Sequence, residues 1–141
     1  MAFGSKARDP ATPYLVYAFA WRGRVFYIGL GQARSTRHTH RWLFVRNLVQ
    51  HEVNGTLKPD KRRELARKSN AVLAALIRSG VEPHEVHVLW KGVGRARAER
   101  EEKRQLSVHL AQGCLLANAQ GLQVQHSVPE ILRYLGVQNV A

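Results

Sequence analysis

Tyr17 and Tyr27 stand ten residues apart on either side of an Arg22-Gly23 pair, and Arg34, Arg37, His38, His40 and Arg41 follow directly. A phenol titrates near pH ~10, so it is a poor base at neutrality unless a neighbouring cation or metal favours the phenolate. A guanidinium can grip two oxygens of a phosphate at once. A third group lies far along the chain. Ala98, Glu102, Leu106 and Leu110 recur every four residues, which places Glu102 on the core-facing stripe of a helix. A carboxylate there must be paired or bind a cation. One carboxylate, with waters and a phosphate oxygen, makes a reasonable Mg2+ or Mn2+ site. Glu99 and Glu101 read as a solvated charged face. His38 and His40 point ~200° apart on a helix, so one ion cannot easily take both; a hydrogen bond to a ligand or to a tyrosine suits one of them better.

A polyanionic partner is expected for these groups. The chain of 141 residues carries 22 Lys+Arg against 10 Asp+Glu, a net charge of +12. Such an excess favours nucleic acid over an acidic membrane surface. At 45% hydrophobic residues the chain can bury a core as one domain, which argues against global disorder. No apolar run approaches transmembrane length, and the opening MAFGSKARDPATP lacks the apolar segment of a secretory signal. A single cysteine, Cys114, excludes an intrachain disulfide and argues against a Cys-based zinc site. A cytoplasmic protein is expected.

The elements that must hold these side chains can be read in order. Residues 1–12 read as a loose leader and 13–141 as the domain. Residues 14–30 are expected to form an antiparallel hairpin turning at Arg22-Gly23 and broken by Gly29-Leu30-Gly31. Tyr17 shares a face with Leu15 and Phe19, and Tyr27 with Val25; the hairpin can bring both tyrosines onto one face near its open end. A packed core has no need of two phenols beside arginines. Ser35 or Thr36 is expected to cap a helix running through Val49, and a second helix spans Lys58 to about Ser79. Val86–Trp90 reads as a third, buried strand broken by Gly92 and Gly94. Ala96–Gln112 is a helix ended by Gly113, residues 114–118 are apolar and extended, and a short helix covers 129–135. The order β-β-α-α-β-α describes an α+β domain, a small three-stranded, mostly antiparallel sheet flanked by helices.

Leu15-Val16-Tyr17, Tyr27-Ile28-Gly29 ten residues on, a following helical Arg, a Glu-bearing helix after the third strand and Leu116-Ala117-Asn118 together resemble the GIY-YIG nuclease family over residues 13–121. The resemblance implies a metal-dependent endonuclease that hydrolyses DNA phosphodiester bonds. Such an ester is anionic, so the enzyme must position a water, accept its proton, neutralise the phosphoryl oxygens and support the leaving oxygen. By the resemblance, Tyr17 serves as general base or holds the water, and Tyr27 orients the water or contacts the phosphate. Gly29 lets the backbone approach that phosphate. Arg37, ten residues after Tyr27, is the first choice of phosphate clamp and Arg34 its rival; Arg34-x-x-x-His38 also fits the family. Glu102 holds the metal and Asn118 supports the site. The chain departs from the family in Leu-Val-Tyr for Gly-Ile-Tyr, in Gln120-Gly121 for a Gly pair, and in register: counting back from Gly113 as the family does lands on Gln105, not on a glutamate.

Lys58, Lys61, Arg62, Arg63, Arg67 and Lys68, with Arg41, form the expected nucleic-acid surface. No base-reading module is visible, so shape or short context would set specificity. Gly29-x-Gly31 lacks the third glycine of a dinucleotide site, Gly92-x-Gly94 lacks a Walker Lys-Ser/Thr, and Ser-His-Asp catalysis has no support. Two other readings stand beside the nuclease: a non-catalytic nucleic-acid-binding module on the same scaffold, and an RNA-associated structural protein suggested by charge alone.

Overall fold

The computed structural model describes residues 11–137. Strand β1 (Pro13–Trp21) and β2 (Arg24–Gln32) form the hairpin, and β3 (Glu85–Val93) pairs antiparallel with the other edge of β1. The sheet order is therefore β2-β1-β3. Helices α1 (Arg41–Val53), α2 (Pro59–Ala66) and α3 (Lys68–Arg78) lie between β2 and β3, and α4 (Arg95–Ala111) and α5 (Val128–Leu135) follow. The fold is α+β with a three-stranded antiparallel sheet. The expected leader lies, up to residue 10, outside the described residues; the Thr12 carbonyl accepts a hydrogen bond from Gly94 N–H at 2.9 Å. Among the described residues no helix is long and apolar enough to cross a membrane.

β1 is the central strand, buried from Tyr14 to Trp21, which is why YLVYAFAW is an unbroken apolar run. Leu15, Tyr17, Phe19 and Trp21 face the layer of α1, α3 and α5. Val16 and Ala18 face the other side with Ile28, Leu106 and Leu116. Arg22 and Gly23 both take positive φ, 51° and 80°, as a two-residue turn matching the strand twist demands.

Several expectations about these elements are corrected. The register passes from Phe19↔Tyr27 to Ala20↔Val25, so Phe26 is the extra residue of a bulge. Its ring lies 6.2 Å from that of Phe19. The bulge puts Tyr27 on the Phe19 face and Val25 on the opposite one, rather than both on one face. β2 does not break at Gly29-Leu30-Gly31, nor β3 at Gly92. A methyl carbon at Gly92 would lie 2.3 Å from Trp90 Cζ2; the glycine makes room for the indole. β3 is an edge strand, with Val88 and Val93 exposed, not a buried one.

The helix expected from residue 35 or 36 starts only at Arg41. Ser35 Oγ accepts from Arg37 N–H, and Thr39 Oγ1 donates to the Thr36 carbonyl at 2.9 Å. These local bonds compete with helix formation and hold residues 35–40 in turns. The helix expected over 58–79 is divided at Arg67, whose ψ of 137° is extended. Buried Asn70 secures that break by donating from Nδ2 to the Glu64 carbonyl at 2.8 Å.

Candidate active site

Tyr17 sits on the central strand directly across from Gly29. A methyl carbon at Gly29 would lie 2.3 Å from Tyr17 Cζ and 2.4 Å from its hydroxyl. The absent side chain is thus the notch that receives the phenol, rather than a gap left for a phosphate. His38 also stacks on the ring at 5.0 Å and 27°. Phe19 and Tyr27 complete the cluster, their ring centroids 5.3 and 6.3 Å from that of Tyr17. The bulge at Phe26 is what turns Tyr27 towards Tyr17.

Electrostatics in this cluster differ from the expectation of an acidified phenol. Burial pushes the Tyr17 hydroxyl well above its ordinary range, the Tyr27 and Glu102 oxygens push the same way, and Arg41 pulls against them. Tyr17 is therefore a neutral phenol at any ordinary pH. Burial, with His40 nearby, holds the His38 imidazole below its ordinary value, so it stays an unprotonated base.

A cleft of about 530 Å3 opens beside these rings, lined by Tyr17, Tyr27, Arg37, His38, Arg41 and Arg67 among others. Tyr27 and Arg67 also line a second cleft of about 400 Å3 with Glu102, Lys103 and Asn118. The two phenols, the arginines and the acid thus border adjoining spaces that share a wall. Burial and then Glu99 hold the Glu102 carboxyl above its ordinary value, against Arg95 and Lys103. Glu102 appears in no hydrogen bond or ion pair among the described residues. A partly buried carboxylate facing a cleft without a partner suits a hard divalent cation, the other ligands being water and substrate oxygen.

Glu101, one residue away, is spent otherwise. It pairs with Arg104 at 2.6 Å and accepts from Gln105 Nε2 at 2.9 Å. Gln105, which the alternative register singled out, is buried and satisfied within its own helix. Leu110 does not continue the buried stripe; it is exposed, and His109 is buried in its place.

Asn118 is held by the free edge of β2. Its Oδ1 accepts from Ile28 N–H at 3.1 Å and its Nδ2 donates to the Ile28 carbonyl at 2.7 Å. The extended 114–118 run lies alongside that edge, with Ala117 N–H donating to the Phe26 carbonyl at 2.7 Å. Asn118 thus fixes the backbone between Tyr27 and Gly29.

Among the arginines the structure selects. Arg34 is exposed and lines neither cleft. Arg37 lines the first cleft from an exposed turn. Arg41, read from sequence only as part of the binding surface, is the guanidinium held in place: it donates to Asn70 Oδ1 at 3.0 Å and lies 5.6 Å from the Phe19 ring centroid. Asn70 escaped the sequence reading, although a buried amide within SNAVLAAL signals a required hydrogen bond. His40 lies apart from the tyrosines, in an adjoining groove with Lys61. Lys58 precedes α2, Arg62 donates to the Leu57 carbonyl, Lys68 donates to Gln125, and Arg63 is exposed; none of these four lines the clefts. Arg67 borders all three spaces.

No protein-family model, no curated protein and no solved structure matches this chain.

Proposed function

We propose that this chain is a divalent-metal-dependent endonuclease of the GIY-YIG type, hydrolysing phosphodiester bonds in DNA. The observation that carries the reading is the shared wall: Tyr17, Tyr27, Arg37 and Arg41 around one cleft, Glu102 and Asn118 around the next, with Tyr27 and Arg67 common to both.

Arg41, already oriented by Asn70, clamps the scissile phosphate, with Arg37 and Arg67 as flanking charges. Tyr17 acts as a neutral phenol that holds the attacking water, and Tyr27 orients it. His38, an unprotonated imidazole on the same cleft, takes the proton. The water oxygen bonds to phosphorus as the ester P–O bond breaks, and the departing oxygen is protonated by solvent. Glu102 is the ligand for Mg2+ or Mn2+, an ion that would neutralise charge on the phosphoryl oxygens when bound. Asn118 keeps the Tyr27–Gly29 backbone in place.

The test is conversion of supercoiled plasmid to nicked circles with Mg2+ or Mn2+ and with EDTA. The wild-type protein cuts with metal and not with EDTA, and Tyr17→Phe and Glu102→Gln each lower the rate by about 100-fold or more. DNA binding without cutting under either metal would replace this reading with a non-catalytic binding module.

A further inference from the structure

The space between α1 and the facing α2–α3 pair has a composition that the cutting site does not need. This groove, of about 500 Å3, has Arg37, His40, Arg41 and Phe44 on one wall and Lys61 and Arg67 on the other. Phe44 belongs to no core: α1 buries Val45, Leu48 and Val49, whereas Phe44 is 37% exposed. The Lys61 ammonium lies 5.8 Å from its ring centroid. The one acid on the groove wall, Glu64, pairs with Arg67 at 3.5 Å. An exposed aromatic ring inside a cation-lined groove is the combination that binds an unpaired nucleotide, the ring stacking on the base and the cations following the phosphates.

We infer that this groove is a subsite for a single-stranded segment of nucleic acid, with Phe44 as the platform for one base and Lys61 and Arg67 on the adjacent phosphates. The inference rests on the proposed function for its placement, because the groove shares Arg37, Arg41 and Arg67 with the tyrosine cleft. A strand clamped at Arg41 therefore leads a neighbouring nucleotide to Phe44. A base within a duplex is covered on both faces and cannot stack on a side chain without leaving its neighbours. The substrate class that follows is DNA with an unpaired region beside the cut, rather than a continuous duplex.

The test measures binding rather than cutting, in EDTA, by fluorescence anisotropy of the full chain with fluorescein-labelled oligo(dT) of about 12 nucleotides and with a duplex of the same length. Phe44→Ala weakens oligo(dT) binding by about tenfold and leaves duplex binding nearly unchanged, whereas Phe44→Trp retains the wild-type preference. Phe44→Leu, which keeps an apolar side chain and guards against a folding defect, behaves as Phe44→Ala. Equal weakening of both ligands by Phe44→Ala, or of neither, overturns the subsite and leaves the groove a diffuse basic face. Oligo(dT) binding that depends on Phe44 in a protein that, with Mg2+ or Mn2+, cuts neither plasmid nor a duplex carrying a single-stranded flap would sink the nuclease while leaving this subsite standing.

Discussion

Gly29→Ala tests the geometry of the site through a single methyl group. The added carbon would lie 2.3 Å from Tyr17 Cζ, and ordinary contact begins at 3.4 Å. The ring must therefore retreat by about 1 Å, a misplacement that costs ~100-fold in rate when it moves a group at the reacting centre. It has little room to retreat, because His38 stacks on it and Phe19 borders it. Overpacking of this kind costs about 1–3 kcal/mol, enough to lower stability without abolishing the fold. Urea unfolding gives the stability term and metal-dependent plasmid nicking gives the rate. The cause is isolated in a Tyr17→Ala background, where the added methyl group meets no ring; there Gly29→Ala should cost nearly nothing in stability. If Gly29→Ala matches the wild type in both assays, or costs the same with Tyr17 removed, the notch does not position the phenol and the proposed site fails with it.

Other outcomes follow from single contacts. His84 is buried with both ring nitrogens unpartnered among the described residues, between Phe19 and Trp42, and burial and Arg41 hold its pKa at about 4. The fold prefers the neutral ring, so stability is lost as pH falls from ~6.5 towards 4, by about 3 kcal/mol; in His84→Phe, urea unfolding over this range should show a correspondingly shallower fall. Asn118→Ala strands the Ile28 N–H and carbonyl and should cost about 1–3 kcal/mol in the same measurement. Glu101→Gln should keep plasmid nicking close to wild type, because Glu101 is tied to Arg104 and Gln105; a loss as deep as that of Glu102→Gln would move the metal ligand by one residue. Arg41→Ala should lower nicking by about 100-fold and Arg34→Ala by little, and the reverse order would make Arg34 the clamp instead of Arg41.

Much of the scaffold is local in origin and so was open to sequence reading. The hairpin follows from dense aromatic and β-branched residues around Arg22-Gly23. The α4 helix follows from a four-residue recurrence ended by Gly113, and the bonded Asn118 from an amide at the end of an apolar run. Spacing along one helix also separates Glu102 from Glu101: Glu102 lines the cleft with Tyr27, whereas Glu101 is tied to Arg104 and Gln105. The two glycine misreadings share one cause. Gly29 and Gly92 read as breaks from local sequence because a glycine's local signal is conformational freedom; their actual constraint is a ring lying where a Cβ would be.

The sequence by itself determined the order of most strands and helices, a strong excess of positive charge, and which phenols and acids are available, because backbone propensity, periodicity and charge act over a few residues at a time. Only the tertiary structure decided that Tyr17 is held neutral by burial and that Arg41, rather than Arg37 or Arg34, is fixed by Asn70 twenty-nine residues away. It alone decided, too, that a bulge turns Tyr27 towards Tyr17. Those outcomes depend on what packs against each group from distant parts of the chain, and desolvation and hydrogen bonding across such separations leave no periodic trace in the order of residues.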